Sequence, residues 1–553
     1  MSSVPAVEPP SGGVRRASAF LASGTIVSRG LGFVSAVVLA NTLGTVNAGS
    51  NTFTIANGLP NSIYAIIAGG LLSAILVPQI VRASRDLDGG EKFINRVVTL
   101  GIVVFVVIAL VATALAGPIV HLYAAQQEAG SARGLSAQDV QLATAFAYWC
   151  LPQVFFYALY SLLGEVLNAR RVFGPFTWAP VINNLVAIAG LLIFDALFNS
   201  VSTAESANWT PGMIALIAGS ATLGVAAQAI FLAFFWRRTG LHFRPEFRWR
   251  GVGLGKVGKA AFWTFCMILI TQLAGVVQSR VASLAGSHNP SNTVLRYAWL
   301  IFMLPHGIIT ISIATPYFTR MSGHASRGDH DALRNDLSAS LRVIGLLLTF
   351  SSVALIVAAN PFSAIFSKGS LNDTHAFAAV LIAYLIGLLP FSIVFVLQRV
   401  FYALEDTRTP FLFQTFQSVL LVGGMLISAT LARPDIAFGV AVSTTVADYV
   451  LMLVAAILLR RRLRRLGAAP VIRSYLVFFI ALVPAAAAGI GLDAVLGAFS
   501  GGFAVSPIIP AVISVAAIGA GMGIVYVAAL ALLRSPELAD FARPILRRIT
   551  RTR

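Results

Sequence analysis

Charged residues are scarce in this chain, and acidic residues are the scarcest of all. Only 11% of its 553 residues are charged, with 21 Asp and Glu against 39 Lys and Arg, whereas 57% are hydrophobic. A soluble protein of this length requires a much larger share of polar residues to cover its surface. The composition therefore excludes a soluble globular protein and predicts an all-α polytopic membrane protein.

Cysteine pairs and enzyme motifs are also missing. The two cysteines, Cys150 and Cys266, lie in apolar runs and have neither metal-ligand nor disulfide spacing. No HExxH, Walker or GxSxG motif occurs, and the Gly-rich stretch at 250–259 lies in a basic loop and follows no strand. No polar segment is long enough to form a nucleotide-binding domain. We predict that the chain is not an enzyme and holds no metal or organic cofactor.

Long apolar runs are what the sequence has instead. About fourteen of them, each long enough to cross a bilayer, alternate with polar breaks. With both termini placed in the cytoplasm, 33 of the 39 Lys and Arg fall on the cytoplasmic side. The exceptions are Arg29, Arg133, Arg280, Arg296, Lys368 and Arg433. This distribution follows the positive-inside rule, so the net charge of +18 predicts contact with anionic membrane lipids, at 460–465 above all, and no nucleic acid.

Internal similarities predict a duplicated architecture. Leu59-Pro60-Asn61 in the second run resembles Leu304-Pro305-His306 in the eighth, and the junction at Pro175 resembles the one at Pro410, 235 residues later. An offset of six spans predicts two six-helix lobes of the same orientation, related about the membrane normal, followed by two further helices. The predicted segments are a cytoplasmic tail (1–17), the first lobe (18–238), a basic linker (239–257), the second lobe (258–459), a basic loop (460–473), spans 13 and 14 (474–533) and a basic tail (534–553).

Prolines and glycines interrupt the second and eighth spans at corresponding places. Pro60, followed by Gly69 and Gly70, lies in the second span, and Pro305 lies in the eighth. A proline in a membrane helix frees a backbone carbonyl that lipid cannot satisfy, so such positions face protein or a water-filled cavity. Paired interruptions in two repeats indicate the central site of a transporter, and we predict helix breaks and hinges at all four residues.

One basic residue lies deep within a span. Arg29 is about 16 Å inside the first run, near the middle of the hydrocarbon layer, where an unpartnered arginine is costly. It shares a helix face with Thr25, and a second polar face follows in the next span. The predicted substrate-binding residues are Arg29, Asn57, Asn61, Tyr64, Arg280 and Arg296. The alternatives left open are an ion pair of Arg29 with Asp448 or Glu165, and interfacial snorkelling of Arg280 and Arg296.

The motifs along most of the chain resemble those of the MurJ-type lipid II flippases, members of the multidrug/oligosaccharidyl-lipid/polysaccharide exporter superfamily. The matching stretches are Ser28-Arg29-Gly30-Leu31-Gly32-Phe33, Leu59-Pro60-Asn61, Leu167-Asn168-Ala169, Ala179-Pro180-Val181 with Asn184, Tyr297-Ala298, Leu304-Pro305 with Gly307-Ile308, and Phe401-Tyr402-Ala403 with Asp406-Thr407 and Thr409-Pro410. The sequence departs from the family at three positions that are often basic and are here Ser35, Tyr64 and Leu300.

The resemblance implies a transporter that flips an undecaprenyl-diphosphate-linked peptidoglycan precursor by alternating access in the bacterial cytoplasmic membrane. It also implies a groove for the lipid tail along spans 13 and 14, and coupling to a monovalent cation, for which Asp406 and Asp448 are the candidates. The predicted partners are this lipid-linked glycan, anionic lipids and the cell-wall synthesis machinery. The alternatives are a flippase for another lipid-linked glycan, a cation-coupled drug antiporter of the same superfamily, and a scaffold for cell-wall assembly.

Overall fold

The computed structural model describes residues 12–67, 90–170, 172, 174–198, 201–247, 258–367 and 370–540. Within these ranges the regular structure is helical, apart from an isolated bridge between Gln126 and Leu135. The first eight helices are α1 Gly12–Leu43, α2 Ala48–Ile67, α3 Glu91–Ala114, α4 Ala116–Tyr123, α5 Ala137–Cys150, α6 Gln153–Ala169, α7 Gly174–Phe198 and α8 Pro211–Phe234.

Eleven further helices follow. They are α9 Gly258–Ser283, α10 Asn292–Pro305, α11 Ile311–Ser326, α12 His330–Val357, α13 Ala359–Ala364, α14 Leu371–Ile386, α15 Leu388–Ala403, α16 Arg408–Ser428, α17 Ile436–Leu463, α18 Ala468–Val495 and α19 Ile509–Leu532. A π-helical turn, His306–Thr310, joins α10 to α11.

The membrane-spanning character that the composition predicts is confirmed. Thirteen helical segments within the described ranges are long and apolar enough to cross a bilayer. The predicted second span corresponds to α2, which is described as far as Ile67; Gly69 and Gly70 lie outside the described residues. Large aliphatic side chains such as Leu532, 84% exposed, and Val495, 85% exposed, lie on the surface of these helices, as expected where the surroundings are lipid.

The chain divides into two compact units. The first comprises Met1–Thr42, Ile55–Val120 and Gln141–Phe265, and the second comprises Leu43–Thr54, His121–Val140 and Cys266–Arg553. The second unit therefore includes the turn between α1 and α2 and the connection between α4 and α5. Most residues of these four helices belong to the first unit.

In the first unit, α7 and α8 pack most closely, and two glycines permit this approach. A Cβ atom on Gly190 would lie 2.2 Å from the Cβ of Ser220, and one on Gly224 would lie 2.4 Å from Oδ1 of Asn183. Small residues at such contacts let the backbones of membrane helices come together and gain van der Waals contact. A core of aliphatic side chains from α3, α6 and α8 completes this unit.

In the second unit, the C-terminal pair α18 and α19 packs against α12. The Tyr475 hydroxyl donates to the carbonyl of Leu341 at 3.0 Å, and the Tyr526 hydroxyl donates to the carbonyl of Leu346 at 3.1 Å. Both bonds are made by side chains in an apolar core around Phe478 and satisfy the tyrosine hydroxyls there. The last two spans are thus fastened to α12 rather than attached only through their connecting loops.

The helix interruptions differ from the predicted ones. The break expected at Pro60 is not seen, because α2 runs continuously through this residue; one lost backbone hydrogen bond is tolerated where neighbouring groups satisfy the freed carbonyl. Pro305 does end α10, and the π-helical turn follows it directly. A break that the sequence did not predict occurs at Gly387, where a Cβ atom would lie 2.7 Å from Oγ1 of Thr445.

Candidate functional site

Arg29 is exposed on α1 in the first unit. Within the part of the chain that the structure describes, it forms no ion pair with a carboxylate. An arginine at the centre of a membrane helix costs about 2.5–3.5 kcal/mol on insertion scales unless water or a ligand solvates it. Glu165, in the same unit, forms no ion pair with Arg29 among the described residues, and contact of this guanidinium with an anionic ligand stays a prediction.

Two contacts with α7 set the orientation of α1. The Asn184 side chain donates to the backbone carbonyl of Ser28 at 3.1 Å. A Cβ atom on Gly24, one turn earlier, would lie 2.8 Å from the indole nitrogen of Trp178, so this position admits only glycine without a shift. Positions 24 and 28 share one helix face, so these contacts place that face of α1 against α7. Arg29, the next residue, lies on a different face of the helix.

The polar face of α2 is supported by a glutamine that the sequence analysis did not single out. Gln153, at the start of α6, donates to Oδ1 of Asn57 at 3.2 Å and to Oγ1 of Thr222 at 2.9 Å. Asn61 is exposed, and the ring of Tyr64 packs against Tyr157 with centroids 5.8 Å apart. The structure thus brings Asn57 into a hydrogen-bond network with α6 and α8. The ring of Tyr64 packs against the apolar core of the first unit instead.

Asn184, which contacts α1, and Gln153, which contacts α2, are therefore supporting residues that sequence reasoning missed. Asn184 was visible as the last residue of the Ala179-Pro180-Val181 element, but its partner lies 156 positions away. Gln153 was visible as an amide within an apolar run, directly after Pro152. A polar side chain in a membrane span is itself a signal of an interior or functional position.

We expect Asn184→Ala to reduce transport about two- to tenfold while leaving the protein in the membrane. The substitution removes one side-chain hydrogen bond, worth about 0.5–1.5 kcal/mol, that fixes α1 beside Arg29. Transport of the substrate lipid in reconstituted vesicles measures the effect. Asn208→Ala is the matched control, because Asn208 makes the same kind of bond, 3.1 Å to the Ser202 carbonyl, in an exposed loop. Equal losses in both variants would contradict a role for Asn184 in positioning Arg29.

In the second unit, Arg280 and Arg296, for which interfacial snorkelling was the alternative to substrate binding, differ in their surroundings. Arg280 donates to the backbone carbonyl of His121 at 2.8 Å and so ties α9 to the end of α4. Arg296 is exposed on α10 between the buried residues Leu295 and Tyr297, and forms no ion pair with any residue in the described ranges. A direct role in binding stays a prediction for both, and the contact of Arg280 favours a structural role there.

The π-helical turn after Pro305 surrounds a buried histidine. His306 is 2% exposed, its Nδ1 lies 2.9 Å from Oγ of Ser392, and its ring packs edge-on against Phe391 and Phe395. This agrees with a hydrogen-bonded histidine at a helix irregularity. Since π-turns in α-helices are frequent at functional sites, the hinge assigned to Pro305 stays a prediction with a local structural basis.

The two aspartates considered for a cation have other contacts. The carboxylate of Asp406 accepts from the backbone N–H of Thr409 at 2.9 Å and from its hydroxyl at 2.7 Å, which caps the start of α16. Asp448 is 2% exposed and accepts from Nε2 of Gln417 at 2.6 Å. No group of three or more His, Cys, Asp or Glu suited to a metal occurs among the described residues, so a cation site stays a prediction, with Asp448 the better candidate.

A further buried polar cluster lies in the second unit, where the first turn of α2 meets the start of α10 and the chain that precedes it. Asn51 is fully buried; its amide donates to the carbonyl of Ser287 at 3.1 Å and its oxygen accepts from the N–H of Thr293 at 3.2 Å. The Ser287 hydroxyl donates to Asp139 at 2.5 Å. These pairs are 148 to 242 positions apart, which is why the sequence did not reveal them.

Comparison with known proteins places these features in a family. The family described as "Lipid II flippase MurJ" matches residues 39–513. A protein of Haemophilus influenzae named "Probable lipid II flippase MurJ" is 26% identical over 441 residues, which cover 77% of this chain and 83% of that protein.

Solved structures share the fold. One described as "Lipid II flippase MurJ, inward closed conformation" superposes with a TM-score of 0.70 at 19% identity, covering 95% of this chain and 99% of that one. An inward-facing multidrug resistance MATE family transporter of the MOP superfamily gives a TM-score of 0.61 at 16% identity over 79% of this chain and 96% of that one. Because the family match extends over most of the sequence, this chain is a multi-pass membrane protein that belongs to the lipid II flippase MurJ family.

Proposed function

We propose that this protein moves lipid II, the undecaprenyl-diphosphate-linked precursor of peptidoglycan, from the inner to the outer leaflet of the bacterial cytoplasmic membrane. Its family and the names of its relatives support this substrate. The single structural observation that carries the proposal is Arg29, an exposed cation within a membrane span that has no carboxylate partner among the described residues.

The chemistry of the headgroup suits this residue. A guanidinium presents paired N–H groups that match two phosphate oxygens, and a site of low dielectric strengthens such a charge-assisted bond. The diphosphate and the arginine each relieve the cost of removing the other from water. Asn57 and Asn61 provide amide groups on α2, the next helix along the chain, and these suit the polar sugar portion of the substrate.

The mechanism proposed is alternating access, with both termini in the cytoplasm. This orientation is supported by the positive-inside distribution of Lys and Arg. An inside-negative membrane potential favours outward movement of an anion by about 2.3 kcal/mol per charge for each 100 mV. Potential, together with consumption of the product outside, supplies direction without nucleotide hydrolysis.

A drug antiporter is the less favoured candidate. A site for organic cations needs a carboxylate free to face the ligand, whereas Asp448 is buried against Gln417 and Asp406 caps a helix. The nearest alternative is therefore a flippase for another lipid-linked glycan, since the positions that are often basic in relatives are Ser35, Tyr64 and Leu300 here.

The test is the leaflet distribution of lipid II in cells depleted of the protein. Intact cells are treated with a membrane-impermeant enzyme that cleaves lipid II, and the protected fraction is measured before and after depletion. We expect protected lipid II to accumulate on depletion and to return to normal when the protein is restored. An unchanged distribution would overturn the proposal, and an unchanged distribution with lost drug resistance would favour the antiporter.

A further inference from the structure

A pocket in the first unit lies apart from the polar faces of α1 and α2. It has a volume of about 490 Å³ and opens between one end of α3, one end of α6 and the chain that leaves α8. Val98, Leu163 and Leu241 form a buried aliphatic floor, and Trp236 and Phe243 form an aromatic edge, with their rings 6.2 Å apart. The volume lies in the range of ligand sites, and the lining is mainly apolar.

The segment that closes this pocket is held in place along α3. The side chain of Asn95 donates to the carbonyl of His242 at 3.0 Å, and the N–H of Glu246 donates to Oγ1 of Thr99 at 3.0 Å. Arg96 and Glu246 form an ion pair at 2.7 Å. Three polar links over a few residues mean that the pocket is formed before any ligand arrives.

Charge at the mouth is positive. Arg237 lines the pocket, is exposed, and has no acidic partner among the residues that the structure describes. Arg238 lies over the ring of Phe235 at 4.8 Å, and Arg244 is also exposed. The nearby acid, Glu246, is already neutralised by Arg96. The mouth therefore presents cations that a neutral or zwitterionic ligand would leave unbalanced.

The position of the pocket along the helices is that of a membrane interface. Val98 lies seven residues into α3, and Arg237 follows the end of α8, within a span that runs to Arg238. Arginine stems and aromatic rings are typical of this depth, where one end of a ligand is apolar and the other is charged. By the charge distribution, this interface is the cytoplasmic one.

From this geometry we propose that the pocket binds one anionic phospholipid of the cytoplasmic leaflet, with an acyl chain on the aliphatic floor and the phosphate at Arg237. A soluble anion has no apolar part to cover the aliphatic floor, and a neutral lipid has no net charge to balance the arginines. A basic pocket between membrane helices on the cytoplasmic side is the arrangement that recognises acidic headgroups. Its lining residues belong to α3, α6, α8 and the segment after α8.

The experiment compares lipid binding to the purified full-length protein in detergent, with phosphatidylglycerol and phosphatidylcholine of identical chains as probes. Retention of each lipid is measured by native mass spectrometry. We expect wild-type protein to bind phosphatidylglycerol at least tenfold more tightly than phosphatidylcholine, and Arg237→Gln to bind it about five- to tenfold more weakly than wild type. Ala233→Trp, which fills the pocket, should abolish specific binding of one lipid molecule.

The matched control is Arg433→Gln, which removes the same charge from an exposed position just before α17, outside the basic loops, and should leave binding unchanged. Equal affinity for the two lipids, or equal weakening in Arg237→Gln and Arg433→Gln, would overturn the proposal. Unchanged lipid retention in Ala233→Trp would overturn the proposal as well.

Discussion

Arg29→Ala is expected to abolish complementation of a strain depleted of its lipid II flippase, and to lower the rate of flipping in vesicles about 30-fold to several thousandfold. Removing one partner of a desolvated, hydrogen-bonded charge pair costs about 2–5 kcal/mol, and each 1.4 kcal/mol corresponds to a factor of about ten. Arg29→Lys should retain part of the activity, because an ammonium keeps the charge but loses the paired donors that match two phosphate oxygens.

Two controls make the result specific to this position. Arg460→Ala removes one positive charge from the exposed last turn of α17 and should transport normally. Protein levels in the membrane must be equal, since a fall in abundance alone would mimic a loss of transport. Normal growth and a normal outer-leaflet fraction of lipid II with Arg29→Ala would refute the assigned role.

Glu537→Ala is expected to be the most destabilising single change near the end of the described chain. Glu537 is 5% exposed, and Oε1 accepts from Ser474 at 2.6 Å and from Arg342 at 3.1 Å, while Oε2 accepts from Ser535 at 2.9 Å. These bonds join α12, α18 and the segment after α19. Loss of the carboxylate leaves the Arg342 guanidinium without its acidic partner, whereas the Ser474 hydroxyl keeps the carbonyl of Pro470 as an acceptor. Breaking a buried pair costs about 3–5 kcal/mol, and less here in so far as Arg342, 31% exposed, is solvated.

The pH dependence of this effect follows from the pKa of Glu537. Burial would raise the pKa of this carboxyl, but hydrogen bonds from Ser474, its own backbone N–H, Ser535 and Arg342 outweigh burial and hold the pKa below the ordinary value of 4.5. A depressed pKa stabilises the fold above the unfolded value, and this contribution is lost as pH falls through the folded value.

Thermal unfolding in detergent measures the difference between wild type and Glu537→Gln. The gap should be constant from pH 8 to about pH 5 and should shrink below pH 4.5. Glu405→Gln, at an exposed position in the turn before α16, serves as the control and should show no such gap. A gap that grows as the pH is lowered would contradict the assignment.

Much of the fold was accessible from the sequence because lipid imposes a simple rule. Backbone polar groups in a bilayer must be satisfied within the segment, so each long apolar run is a helix. Within the described residues the predicted runs correspond to helices, and the motifs ending at Pro410 identified the family before any coordinates. The interruptions were harder to predict: α2 is continuous at Pro60, whereas Gly387 breaks a span. A proline removes one backbone hydrogen bond of the helix. Whether the helix then breaks depends on the neighbouring residues that pack against it, which the local sequence does not show.

The candidate site was predicted only in part. Arg29 stood out because an arginine in the middle of an apolar run is rare and costly, a property of the run alone. Nothing in the run revealed that Asn184 holds its helix, or that Gln153 supports Asn57. Arg280 and Asp406 were equally visible as charged residues, yet the first bonds the carbonyl of His121 and the second caps a helix.

By itself, then, the sequence indicated the lipid surroundings of this protein, its helical spans and its family, because apolar length and local motifs are read along the chain. Tertiary structure alone decided which polar groups are engaged and which remain open to a ligand. Those states depend on partners such as Ser28 for Asn184 and Arg342 for Glu537, which are 156 and 195 residues distant. Folding brings such groups within hydrogen-bond reach, and no local pattern records the distance between them.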